Sequence, residues 1–87
     1  VTADGIMFSY YAPDAQKVNI AADFNEWKVN DTELTNIEGT GVWQKIVPLT
    51  KGRYEYKFLV DGKWCTDPDN PNKAAGEFGE NSYIEID

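Results

Sequence analysis

Between Arg53 and Thr66 the chain reads RYEYKFLVDGKWCT, and this stretch narrows the possible folds more than any other. Strict alternation puts Tyr54, Tyr56, Phe58 and Val60 on one side of a strand and Arg53, Glu55, Lys57 and Leu59 on the other, so one face is core and the other meets water. Asp61-Gly62 then supplies the residue types of a tight type I′ turn, whose two central positions both need φ > 0. The chain returns through Lys63, Trp64 and Cys65, a β-hairpin. The pattern leaves Trp64 open to either face. Lysine in mid-strand on the wet side, with an indole beside it, is the composition of a surface for a flat, hydroxyl-rich ligand.

Around that hairpin the other segments also read as short strands. Ile6, Phe8 and Tyr10 are in phase in a first strand that Pro13 ends, and Val18, Ile20 and Ala22 point inward from a second. Asp23 to Lys28 reads as a loop, a short strand is expected near Glu33 to Thr35, and Val42 to Val47 is a further strand whose core face the pattern leaves open, with Trp43 read as core rather than site because it sits in a regular strand. After Thr66, Asp67 to Asn72 is rich in turn formers and leads to a last strand over Ser82 to Ile86. No helix has support. Six or seven strands with turn signals about every ten residues predict an all-β fold, an immunoglobulin-like antiparallel β-sandwich.

Length and charge set further bounds. At 87 residues the chain is one domain, residues 1–87, in which folding buries about 60–65% of the unfolded surface. Four Phe, five Tyr and three Trp are more aromatics than a two-sheet core this small holds, so some rings must be exposed. A net charge of −7 argues against nucleic acid and against anionic membrane surfaces, which reward clusters of Lys and Arg. One cysteine and no histidine leave no internal disulfide, no transition-metal site and no expected cofactor. No apolar run approaches a membrane span and no signal peptide is visible; a cytoplasmic location is the expectation. The first residue is Val1 rather than methionine, which fits a fragment or a processed form.

The residues that could carry chemistry each have an ordinary reading as well. Trp27 serves equally as a loop anchor, Trp64 as a half-buried strand residue, Lys57 as a solvated lysine and Asn81 as a turn residue; only their convergence would make a site. Asp67 and Asp69 begin like a calcium loop, but Pro71 occupies the third ligand position and the glycine is missing, so they are expected to be solvated surface. Asn30-Asp31-Thr32 fits a glycosylation pattern and is given the same reading. Carboxylate pairs for glycoside hydrolysis need a cleft and one raised pKa, and a sandwich of this size offers little cleft, so no catalytic residue is assigned.

An ordered set of short blocks runs nearly end to end: Tyr11-Ala12-Pro13, Asp23-Phe24-Asn25-Glu26-Trp27, Gly41-Val42-Trp43, Gly52 through Phe58, Val60-Asp61-Gly62-Lys63-Trp64, Asp67-Pro68 and Phe78-Gly79-Glu80-Asn81-Ser82. With these spacings the chain resembles the family-48 carbohydrate-binding modules, the isoamylase-type early-set domains that include the glycogen-binding domain of the AMP-activated kinase β subunit. The resemblance implies a noncatalytic early-set β-sandwich that binds α-1,4-linked glucans such as glycogen, starch and maltooligosaccharides, tethering a linked or associated glucan-active enzyme or kinase to the polymer. It also implies carbohydrate-binding roles for Trp27, Lys57, Trp64 and Asn81. Phe78 stands where the kinase-type modules have a leucine, and Glu80 near a threonine, in a loop one residue shorter; both are expected to bind sugar as well, Phe78 by wedging its ring against it and Glu80 by accepting from its hydroxyls. The alternative is a structural early-set domain that packs against a glucan-processing enzyme and does not bind sugar.

Overall fold

In the computed structural model, which describes residues 5–29, 32–76 and 79–86, the alternating segments form strands β1 (Ile6–Tyr11), β2 (Val18–Ala22), β3 (Thr35–Asn36), β4 (Val42–Val47), β5 (Gly52–Val60), β6 (Lys63–Cys65), β7 (Lys73–Gly76) and β8 (Gly79–Ile86). All pair antiparallel, in one sheet of order β1-β4-β3 and a second of order β2-β5-β8-β7, with β6 also on β5. The inner faces meet ring to ring. Phe8 lies edge-on to Tyr56 with centroids 5.0 Å apart, and Tyr10 packs on Phe58 at 5.0 Å. Val18, Ile20, Ala22, Leu34 and Trp43 complete the buried cluster. The fold is the immunoglobulin-like β-sandwich expected, and Trp43 is core, its indole N–H donating to the Ala12 carbonyl at 2.9 Å. Among the described residues no helix is long and apolar enough to cross a membrane.

The hairpin forms as the sequence requires. Asp61 (φ 48°) and Gly62 (φ 84°) are both left-handed, and Val60 pairs with Lys63 across a two-residue turn. The Asp61 carboxylate also accepts the backbone N–H groups of Gln16 and Lys17, both at 2.9 Å, fastening the turn to the loop before β2.

Three readings of the sequence need correction. The strand expected at Glu33 to Thr35 is divided between the sheets: Glu33 bridges Asn19 on the free edge of β2, Leu34 is buried, and Thr35–Asn36 joins β4. β2 is buried on both faces, where alternation had only Val18, Ile20 and Ala22 inward; Asn19 on the other face donates to the Val29 carbonyl at 2.7 Å. The last sheet is larger than expected, because β8 starts at Gly79 and pairs with β7, a strand hidden behind Pro71, Asn72 and Gly76.

The third correction concerns Asp67, which is buried rather than solvated, at 8% exposure. The Tyr56 hydroxyl, at the end of the core, needs an acceptor, and it donates to Asp67 Oδ2 at 2.7 Å. Asn70 Nδ2 donates back to that hydroxyl at 3.0 Å and to the Tyr83 carbonyl at 2.9 Å, while the Asp67 N–H donates to Ser82 Oγ at 2.8 Å. The Lys73 ammonium caps the carbonyls of Asp67 and Asn70. Turn-forming residues thus make a polar plug over Tyr56, and burial pushes the Tyr56 phenol well above its ordinary pKa, with Asp67 adding to the rise and the Asn70 bond opposing it. Asn30 and Asp31 of the glycosylation pattern lie outside the described residues; Thr32 Oγ1 accepts from Asn25 Nδ2 at 3.2 Å.

Candidate functional site

The outer face of the second sheet carries an open groove of about 670 Å³. Its floor is set by the way β5 changes neighbours. One edge of β5 pairs with β2, while the other pairs with β8 over Gly52 to Tyr56 and with β6 over Phe58 to Val60. Lys57 falls at the handover. Its side chain shares a face with Glu55, and among the described residues no hydrogen bond or ion pair engages its ammonium. Across the ladder it pairs with Ala21 of β2.

The two remaining tryptophans stand on either side. Register places Trp64 opposite Leu59, on the outer face with Lys57, where it is 49% exposed. That resolves the open choice of face in favour of solvent. Trp27 comes from the loop after β2, whose construction explains the block Asp23 to Trp27. Asp23–Asn25 form one 3-10 turn, and Phe24 packs against Phe8 with centroids 5.6 Å apart. Asn25 is buried; its Oδ1 accepts the Ala22 N–H at 2.9 Å and its Nδ2 donates to the Ile20 carbonyl at 3.0 Å. Glu26 and Trp27 then turn back with φ of 57° and 59°, and the Trp27 N–H reaches the Ala22 carbonyl at 2.9 Å.

Asn81 enters from β8 opposite Ala74, and its Nδ2 donates to Glu55 Oε1 at 3.3 Å. It lies directly over Gly76, where an added Cβ would come within 2.5 Å of the Asn81 Nδ2. Gly79 also adjoins the lysine, a Cβ there standing at ordinary contact distance, 3.8 Å, from the Lys57 Nζ. Asp23, Glu55, Ala75 and Gly76 complete the lining. Arg53 at the far end of the same face is spent on Tyr83, its guanidinium 4.3 Å from the ring centroid.

Trp27, Lys57, Trp64 and Asn81 therefore converge, as the sequence reading required of a site. Glu80 is exposed on β8 opposite Ala75 and does not line the groove, and Phe78 lies outside the described residues. The sequence reading missed two carboxylates in the lining. Glu55 was legible, since alternation put it beside Lys57. Asp23 was not, because an aspartate in a loop carries no signal of which donors it will meet. Among the described residues no three His, Cys, Asp or Glu side chains gather as a metal site. The groove offers two indoles, an ammonium, an amide and two carboxylates: flat plates for C–H faces, with donors and acceptors at their rims.

The glycogen recognition site of AMP-activated protein kinase is the family whose model matches, over residues 6–87. The chain is also similar to 1,4-alpha-glucan branching enzymes, at 38% identity over 60 residues to one from Pseudomonas putida, covering 69% of this chain and 8% of the enzyme. A branching enzyme from Francisella tularensis subsp. novicida is 36% identical over 61 residues, covering 69% of this chain and 10% of the enzyme. The matched segment thus spans a tenth or less of these relatives.

Proposed function

Because this chain belongs to the family of the glycogen recognition site of AMP-activated protein kinase, we propose that it is a single noncatalytic module, residues 1–87, for binding α-1,4-linked glucans. The observation that carries the reading is the convergence of Trp27, Trp64, Lys57 and Asn81 on one groove. Glucose rings present flat C–H faces and hydroxyl rims. In this reading the indoles of Trp27 and Trp64 stack on the faces, Lys57 donates to hydroxyl oxygens, and Asn81 and Glu55 exchange hydrogen bonds with the rim.

Each plate contributes about 1–2 kcal/mol, the scale of truncating an aromatic anchor. Affinity for a short oligosaccharide is then micromolar to millimolar. A polymer with many sites multiplies such weak contacts through effective concentration, so the role is to tether a linked or associated glucan-active enzyme or kinase to glycogen or starch.

The test is mobility of the isolated module in native gels containing glycogen or amylopectin, for the parent and for Trp27→Ala and Trp64→Ala, with circular dichroism to check folding. Retardation of the parent and its loss in either folded variant is the expected result. An unretarded parent whose tryptophan fluorescence is unmoved by millimolar maltoheptaose would overturn the reading.

That outcome would favour a second one, a domain docked on a glucan-active enzyme. Its support is the outer face of the first sheet, where Met7, Ser9 and Tyr11 of β1 stand opposite Ile46, Gln44 and Val42 of β4 without a charge. Met7, Tyr11 and Ile46 are exposed there, and the segment that the matched branching enzymes share with this chain is only 8% and 10% of their length. The two faces lie on opposite sides of the sandwich, so one module can use both.

A further inference from the structure

Trp27 sits in a backbone conformation that needs support. Two consecutive non-glycine residues with left-handed φ, Glu26 and Trp27, are strained and persist only where surrounding bonds impose them. Asn25 imposes the turn from within. The indole itself is held from outside, by Asp23: Oδ1 accepts the Trp27 Nε1–H at 2.8 Å, and Oδ2 accepts the Glu55 backbone N–H at 2.8 Å. The carboxylate is a bridge between the plate and the strand that carries Glu55 and Lys57. It also continues the β2–β5 ladder by one bond past its last pair, Ala22 with Tyr56.

We propose that Asp23 is a positioning residue of the glucan site, fixing the angle of the Trp27 plate relative to Lys57 through its two carboxylate oxygens. The assignment rests on the glucan-binding reading above. Two consequences separate it from a generic turn aspartate. The bond consumes the indole N–H, so Trp27 offers a ligand its face and not a donor, and the rim donors must come from Lys57 and Asn81. Asparagine is also a poor replacement: its side chain has one oxygen for two N–H donors, and its amide N–H₂ would confront the second of them.

The experiment measures maltoheptaose affinity by calorimetry for the parent, Asp23→Asn, Asp23→Ala, Trp27→Phe and the double variant Asp23→Ala/Trp27→Phe, with thermal unfolding of each. Hydrogen exchange of the Trp27 indole N–H is followed by NMR without ligand, its resonance identified by its loss in Trp27→Phe. Both Asp23 variants should weaken binding about 5- to 20-fold and speed indole exchange. In the Trp27→Phe background, where no indole N–H remains, Asp23→Ala should cost less than about twofold. A parent that binds together with an equally tight Asp23→Asn would overturn the assignment alone. So would an Asp23→Ala penalty that is undiminished in the Trp27→Phe background, since a merely structural aspartate does not depend on the indole. A parent that fails to bind would overturn the glucan reading and this assignment with it.

Discussion

Removing one oxygen from the core, by Tyr56→Phe, should cost far more than its size implies. The ring stays, packed at 5.0 Å from Phe8 and 5.8 Å from Phe58, so the change creates no large cavity. What disappears is the O–H donated to the Asp67 carboxylate at 2.7 Å and the oxygen that accepts from Asn70 at 3.0 Å. Asn70 keeps its bond to the Tyr83 carbonyl and Asp67 Oδ1 keeps the Asp69 N–H at 3.0 Å, but Asp67 Oδ2 is left at a residue only 8% exposed. A hydrogen bond to a charged group contributes about 1.5–3 kcal/mol, and stranding the buried partner places the loss at the upper end, about 2–3 kcal/mol. For a domain of this size that is a fall in Tm of about 10–20 °C. Urea unfolding and calorimetry of the parent and variant measure it, with glucan binding assayed well below Tm. Binding should survive, because Tyr56 faces inward and the groove outward. A loss under about 0.5 kcal/mol would refute the argument, showing that water reaches Asp67 and that the loop is not a plug.

Two other perturbations test different parts of the structure. Gly76→Ala should weaken glucan binding several-fold in native gels, with circular dichroism to check folding, because the new methyl would meet both the Asn81 amide and the Gly79 carbonyl; unchanged retardation of the folded variant would remove Asn81 from the site. Raising the pH should destabilise the fold only above pH 10. The Cys65 thiol beside it, then burial, push the Tyr10 phenol up to about 12 from 10.0, and Tyr56 is also raised, so the folded state retains protons that the unfolded chain releases. Stability from Tyr10 is complete below pH 10 and is lost as the pH climbs through about 12, and that from Tyr56 has the same sign. Urea midpoints at pH 8 and pH 11 check this, and the drop should be smaller in Tyr56→Phe.

Much of this was readable from residue order because period-2 alternation reports burial directly. Tyr56 and Phe58 inside, Lys57 outside and the Asp61-Gly62 turn all follow from local rules that packing had no cause to override. The residues that sequence misplaced are those whose partners are distant in the chain. Asp67 looked like solvated loop because nothing local shows that Tyr56, eleven residues away, needs an acceptor. Asp23 looked like a loop residue because its second partner is 32 positions along. β7 was hidden because pairing with β8 outweighs the turn preferences of Pro71 and Gly76. Trp64 could not be oriented from composition; only its register with Leu59 decides the face.

The separation of groove and core onto opposite faces of β5 has a consequence for how such a module fails in a cell. Chaperones and proteases sense the unfolded fraction, so a lesion at Tyr56 or Phe58 is cleared and lowers abundance. A lesion at Trp64, half in water already, leaves that fraction unchanged. On the proposed function, the defective copy would accumulate at full level, and a protein that it tethers would be present, folded and detached from the glucan. Abundance would report nothing; only the location of the protein would reveal the loss.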